Sequence, residues 1–88
     1  MIKAKTAREA VPAAGAELFE ILRAERTRLA REQRVPAYVI FHDSTLAAIA
    51  TARPKPLEAL RAIPGMGKTK LDRYGPIIVA AINASANP

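Results

Sequence analysis

Two tripeptides contain residue types that perform chemistry in other proteins: GKT at residues 67–69 and HDS at residues 42–44. The first is like the end of a phosphate-binding loop. The complete loop, however, needs a strand before it and a glycine at the position of Ala62. The second has the residue types of a catalytic triad, but adjacent residues at a helix start do not face one another in the order that triad chemistry requires. We therefore expect no ATP hydrolysis and no nucleophilic catalysis.

The chain offers few ligands for a metal or cofactor. It has one histidine, His42, no cysteine, and carboxylates that are scattered along the sequence. Disulfides, thiolate zinc sites and thiol nucleophiles are therefore excluded. We expect no metal and no cofactor, and the lack of cysteine fits a reducing cytosol.

The turn at residues 64–67 and the lysines after it form the most informative local feature. Gly65 and Gly67 would let the backbone approach a partner closely, and free amides at a helix start suit a phosphate. Lys68 and Lys70 fall in the first helical turn, where each opposes the helix dipole at a cost of about 0.3–1 kcal/mol when exposed. A bound phosphate would reverse that penalty. A tight turn between helices, followed by solvated lysines, is the alternative.

The positive charge is concentrated in one stretch. Of the net charge of +6, residues 53–73, which include Arg73, carry +4. Such an excess indicates an anionic partner. Residues 14–34 instead hold five arginines against four glutamates, so we expect Arg26 and its neighbours to form a solvated face with weak ion pairs. Arg34, at the end of that segment, could join a binding surface.

Two tyrosines differ in their surroundings. Tyr38 lies in the short apolar run at residues 37–41. It is either a half-buried aromatic or a ring that stacks on an unpaired base without regard to sequence. Tyr74 lies on the apolar stripe of the last helical segment and is expected in the core.

Apolar spacing predicts an all-α fold, a compact bundle of five helices. The predicted helices cover residues 16–33, 37–41, 44–52, 56–63 and 68–84. Asp43 is the expected N-cap of the third helix, Leu57 is expected to be buried in the fourth, and Pro76 should bend the fifth. Residues 1–14 are predicted to be a flexible linker, residues 15–85 the domain and residues 86–88 a tail. No apolar run suits a membrane span or a signal peptide, and no membrane partner is expected.

Blocks of sequence in a specific order and spacing resemble the HRDC domain (helicase and RNase D C-terminal). They are Leu18–Leu22 followed by Arg23, VPAYVIF at residues 35–41, DSTL at 43–46, LRAIPGMG at 60–67, and Lys70-Leu71 with Tyr74-Gly75. The resemblance covers residues 16–84. Ala37 departs from it, because many members have a second proline there.

The resemblance implies a five-helix accessory domain that is not itself an enzyme, most often part of a RecQ-family DNA helicase in a bacterial cytoplasm, associated with the nucleoid. UvrD-type helicases and RNase D are alternative parents. Implied partners are single-stranded or branched DNA and the helicase core, with the isolated domain monomeric and the parent acting in DNA repair and recombination. The implied contacts are Tyr38, Arg34, Lys68, Lys70 and Arg73. A protein-interaction or intramolecular regulatory module with little DNA affinity is the alternative function.

Overall fold

Helices make up most of the computed structural model, which describes residues 11–54 and 57–86. A single 3₁₀ turn at Ala13–Gly15 leads into the elements α1 (Ala16–Gln33), α2 (Ala37–Ile40), α3 (Asp43–Ala52), a 3₁₀ helix (Leu57–Ala62) and α4 (Lys68–Ala86). No strand occurs in the described residues. The predicted all-α class and five-helix bundle are confirmed, with the fourth helix of the 3₁₀ type.

The core draws on every one of these five helices. The largest fully buried side chains are Leu18, Ile40, Leu46, Ile49, Leu60 and Ile82. Leu18 and its apolar neighbours on α1 recur at helical spacing and face α3 and α4. Because each helix buries at least one branched aliphatic side chain in the core, detachment of any of the five would expose apolar surface to water.

The junction between α1 and α2 is a sharp turn. Arg34 adopts the left-handed conformation with φ 56° and ψ 46°, and the amide of Val35 donates to the carbonyl of Ala30 at 3.0 Å. Left-handed backbone ends helices by satisfying their last carbonyls. Pro36 is extended, with ψ 150°, and α2 begins after it. The predicted end of the first helix before Pro36 is confirmed.

The segment before α1 packs more closely than a linker would. Val11 has 8% of its surface exposed and belongs to the core cluster. We therefore place the start of the packed segment at Val11 and not at residue 15. The rest of the predicted linker, residues 1–10, and residues 87–88 of the predicted tail lie outside the described residues.

The 3₁₀ helix corrects one expectation about burial. Leu60 and Ile63 are buried as predicted, but Leu57 is 45% exposed. Leu57 lies at the first residue of this helix and covers Gly75 of α4, where an added Cβ would come within 2.5 Å of its Cδ1. Because Gly75 has no side chain, the 3₁₀ helix can approach α4 closely. Leu57 packs at the margin of this contact and leaves part of its surface exposed to solvent.

Arg26 is the largest departure from the sequence-based expectation. Only 8% of it is exposed, so the predicted solvated position is wrong. Its Nη1 donates to the carbonyl of Phe41 at 3.1 Å and to Oδ1 of Asp43 at 2.5 Å. The prediction of Asp43 as an N-cap is also wrong, since α3 begins at Asp43 itself and its flanking residue, His42, makes no side-chain cap. The carboxylate binds Arg26, and this ties α1 to the start of α3.

The turn before α4 assigns different roles to its two glycines. Gly65 has φ +88°, and an added Cβ would lie 2.4 Å from Oγ1 of Thr45, the hydroxyl that donates to the carbonyl of Pro64. Gly67 has nothing within 4 Å of an added Cβ. Gly65 is therefore required by the fold, whereas Gly67 leaves open space in front of α4.

We expect G65A to destabilise the domain by about 1–3 kcal/mol, because alanine is strained at this φ and its methyl group meets Thr45. The matched variant G67A has room for the methyl group and should leave the free energy of unfolding within about 0.5 kcal/mol of the wild type. Urea unfolding followed by circular dichroism measures both. Equal losses for the two variants would contradict the structural role given to Gly65.

R26A should lower the free energy of unfolding by about 1–3 kcal/mol, since it removes buried packing and leaves the carbonyl of Phe41 without this donor. The loss stays below that of breaking a fully buried ion pair, because the Asp43 side chain is 64% exposed and its charge can be solvated. R31A removes an exposed arginine from the same helix and should change stability by less than about 0.5 kcal/mol. Thermal unfolding of the two variants side by side tests the difference.

Candidate nucleic-acid interface

Two aromatic rings form the centre of the candidate interface. Phe41 and Tyr74 pack edge to face, with centroids 5.6 Å apart and planes at 68°. Both residues are buried, as predicted for Tyr74, and Nε2 of Gln33 donates to the Tyr74 hydroxyl at 2.8 Å. The pair therefore brings together the end of α1, the residue after α2, and α4.

Two cations of α4 lie against these rings. Nζ of Lys70 is 5.5 Å from the centroid of Phe41, and the guanidinium carbon of Arg73 is 5.4 Å from that of Tyr74. These distances are within the range of cation–π attraction, which holds a charged group close to the ring. Arg34 directly follows Gln33 and is exposed. We call Lys70 and Arg73 the basic face.

Lys68 lies elsewhere. It borders a groove of about 440 Å³ between the 3₁₀ helix and α4, whose other lining residues are Leu57, Glu58, Arg61, Met66, Leu71 and Asp72. Residues two apart on a helix do not share a face, so Lys68 and Lys70 diverge. The structure thus does not group the two lysines, and it places Lys68 in a groove that also contains the carboxylates of Glu58 and Asp72.

Tyr38 extends from α2 into solvent, with 61% of its surface exposed. Its ring stacks on that of His42, with centroids 6.1 Å apart and planes at 25°. The two rings border an open recess of about 520 Å³. The exposure of Tyr38 leaves ring area free for another flat group.

The other arginines of α1 pair with carboxylates. Arg28 bonds Glu25 at 2.7 Å and Glu32 at 2.8 Å, and these hydrogen bonds, that of Glu25 first, raise the pKa of Arg28 above its ordinary value. Arg23 lies 3.7 Å from Glu20. The weak ion pairs expected for this segment are thus present, and this face of α1 is a solvated ion-pair surface whose positive charge is partly neutralised.

Sequence reasoning missed three groups that organise the site: Arg26, Gln33 and the ring of Phe41. A signal for Arg26 was present, because it lies four residues after Leu22 and three before Leu29, both of which are buried. The bonds of Arg26 and Gln33 span 15 to 41 residues. Contacts over such distances in sequence have no local pattern.

Two classes of site have no candidate in residues 11–54 and 57–86. No group of three or more His, Cys, Asp or Glu is placed to hold a metal ion. None of the described helices is long and apolar enough to cross a membrane.

Comparison with known proteins agrees with the fold and the motifs. The model of the HRDC domain family matches residues 15–82. The structure of HRDC domain 3 of D. radiodurans RecQ superposes on this chain with a TM-score of 0.80 and 36% sequence identity. The superposition covers 84% of this chain and 97% of the RecQ domain.

Curated relatives are of two helicase types. The ATP-dependent DNA helicase UvrD2 of Mycobacterium tuberculosis is 52% identical over 59 residues, which are 67% of this chain and 8% of the relative. The ATP-dependent DNA helicase RecQ of Bacillus subtilis is 40% identical over 70 residues, 80% of this chain and 12% of the relative. The chain thus spans about a tenth of the length of these relatives. With most of its residues matched by the family model and its fold shared with a RecQ domain, the chain belongs to the HRDC family of helicase accessory domains.

Proposed function

We propose that this chain is an auxiliary nucleic-acid-binding domain of a DNA helicase, which contacts single-stranded or branched DNA weakly and so modulates the choice of substrate. The observation that carries the proposal is the basic face, where Lys70 and Arg73 lie over the rings of Phe41 and Tyr74. Lys70 and Arg73 belong to the stretch of the chain, residues 53–73, with a net charge of +4.

The basic face suits phosphate because its charges are partly ordered before any ligand arrives. A lysine or arginine held at an aromatic ring has less rotational freedom to lose on binding. Two or three phosphate contacts release a similar number of counterions and carry no base specificity. So few contacts support weak binding, with a dissociation constant of about micromolar or weaker at physiological salt.

Tyr38 adds a contact that favours unpaired strands. Its ring is exposed and already oriented by stacking on His42. Stacking of a base on an aromatic side chain contributes about 1–3 kcal/mol and needs a base that is free of its duplex. Single strands and branch points supply such bases, whereas intact duplex does not.

The parent protein determines what such weak binding achieves. Relatives over this region are named ATP-dependent DNA helicases, of the RecQ and UvrD2 types. A tether to a helicase core raises the local concentration of DNA at the domain, so a weak contact can still bias which substrate is engaged. We favour a RecQ-type parent acting on chromosomal DNA in a bacterial cytoplasm.

One feature favours the alternative of a docking module. A shallow groove of about 520 Å³ runs along α3 and is lined mainly by small or apolar side chains: Ser44, Ala47, Ala48, Thr51, Ala52, Ile63 and Pro64. Such a surface could pack on the rest of a helicase. Under this alternative, loss of the basic face would leave DNA affinity unchanged, while substitutions along α3 would alter the activity of the parent enzyme.

The double variant K70A/R73A tests the basic face. We expect binding to a labelled single strand to weaken about tenfold at low salt, and the slope of log affinity against log salt to fall by about 1.4, since each phosphate contact on a single strand contributes about 0.7. The matched variant R61A/K68A removes two positive charges from the groove on the other side of α4. It should reduce affinity and slope less, because those side chains lie beside Glu58 and Asp72.

Fluorescence anisotropy at several salt concentrations measures both quantities, and thermal unfolding checks that both variants fold. No binding by the wild type at low salt, or binding that is indifferent to salt, would disprove the proposed function. Equal losses for the two double variants would disprove the placement of the interface.

Y38A should weaken binding to single strands about tenfold with little change in stability, since it removes a stacking ring that is mostly exposed. Y38F keeps the ring and should bind nearly as well as the wild type. Affinity for duplex of equal length serves as the reference and should change little in either variant. A loss in Y38F as large as that in Y38A would point to the hydroxyl group and contradict stacking.

A further inference from the structure

The recess beside Tyr38 has an unusual combination of lining groups for so small a domain. Its lining residues are Arg26, Ala37, Tyr38, His42, Asp43 and Ser44. One wall is thus an aromatic stack, and another is a carboxylate beside a hydroxyl at the start of α3. A recess of about 520 Å³ has room for one nucleobase.

The carboxylate of Asp43 in this recess is held in place by the buried side chain of Arg26. Oδ1 of Asp43 accepts a hydrogen bond from Nη1 of Arg26, whose side chain is 8% exposed, while the side chain of Asp43 stays 64% exposed. Because Arg26 is buried and also bound to the carbonyl of Phe41, it fixes the direction of the carboxylate. Asp43 is therefore an acceptor that is oriented before a ligand arrives and still reachable from solvent.

Charge also favours a ligand of the nucleic-acid kind. An isolated carboxylate would repel the phosphates of a strand, but the contact with Arg26 balances the charge of Asp43 within the domain. In addition, Nε of Arg26 is buried and has no hydrogen-bond partner among the described residues. An unpaired buried donor is uncommon in packed regions of proteins.

We propose that the recess accepts one unpaired base that carries an exocyclic amino group, with its ring on Tyr38 and that amino group donating to Asp43. Carboxylates accept in this way from N4 of cytosine, and the hydroxyl of Ser44 can either donate or accept at the same edge. Thymine and uracil have a carbonyl oxygen where cytosine has its amino group, and an oxygen there would face the carboxylate without a proton between them. The recess therefore favours cytosine over thymine, two rings of equal size.

This inference rests on the proposed function and adds base preference to it. Stacking and phosphate contacts alone would treat the two pyrimidines alike. Two test ligands are dC10 and dT10, single strands of ten deoxycytidines and of ten thymidines. A hydrogen bond from a base to an oriented, partly exposed carboxylate should make the wild type bind dC10 about fivefold more tightly than dT10. Fluorescence anisotropy at low salt measures the ratio.

A change in the ligand tests the hydrogen bond without touching the protein. An oligomer of 2′-deoxyzebularine, which is deoxycytidine without the exocyclic amino group of its base, keeps the ring and loses the donor. We expect its affinity to fall to about that of dT10. Affinity that stays equal to that of dC10 would overturn the proposal, because the preference would then come from stacking.

The variant D43N tests the acceptor. Its amide oxygen can still accept from Arg26, but the group is neutral and adds donors that suit the carbonyl oxygen of thymine, so the ratio of affinities should fall to about one. D72N removes the same charge from the groove beside Lys68 and should raise affinity for both oligomers equally, leaving the ratio unchanged. Thermal unfolding establishes whether D43N is folded, and the zebularine oligomer gives the answer if it is not.

The outcomes separate the two proposals. Equal wild-type affinities for dC10 and dT10, each dependent on salt, would overturn base preference and leave the proposed function standing. Failure of every oligomer to bind at low salt would overturn both. A preference for dC10 that disappears in D43N and persists in D72N would support the recess as a base-binding site.

Discussion

The contact of Arg26 with the carbonyl of Phe41 and the carboxylate of Asp43 is the constraint on which the rest of the structure depends. Burying a guanidinium in a domain of this size is unfavourable unless its hydrogen bonds are made. Here Nη1 makes them to the two residues that flank His42, between α2 and α3, while Nε has no partner among the described residues. One side chain of α1 thereby sets the position of the α2–α3 junction. That junction directs the ring of Phe41 inward to α4 and leaves Tyr38 facing solvent.

The same arrangement links stability with the candidate interface. Phe41 and Tyr74 are core residues, yet their rings also hold Lys70 and Arg73 at the surface. A cation attracted to a buried ring has a restricted range of positions, which a solvated lysine on a helix lacks. The aromatic pair therefore supports the basic face by restraining the positions of its two cations. Substitutions of these rings would affect folding and binding together, whereas the cations and Tyr38 can be changed with much smaller effects on the fold.

The elements of the fold were predictable, and the contacts between them were only partly so. Helical spacing of apolar residues located four of the five helices, because burial of one face is recorded locally in the sequence. The short apolar run of α2 has no such spacing, and its helix is predicted because the sequence offers no partner strand. The charged neighbours Arg23 and Arg28 predict a solvated position for Arg26, whereas the partners that bury it lie 15 and 17 residues away in the sequence. Closeness in sequence groups Lys68 with Lys70, but a separation of two residues corresponds to more than half a turn of helix and directs the two side chains apart. Long-range hydrogen bonds and the direction of side chains were what the pattern lacked.

Net charge alone is consequently a poor guide to where this domain would meet an anion. Lys68 and Arg61 contribute as much formal charge as Lys70 and Arg73, but they share a groove with Glu58 and Asp72. Arginines of α1 contribute more still, and two of them, Arg23 and Arg28, are paired with glutamates. What distinguishes Lys70 and Arg73 is that their neighbours are aromatic rings, which restrain a cation without cancelling its charge. A fold of this kind can therefore gain or lose an anion-binding face through the placement of carboxylates, with its core unchanged.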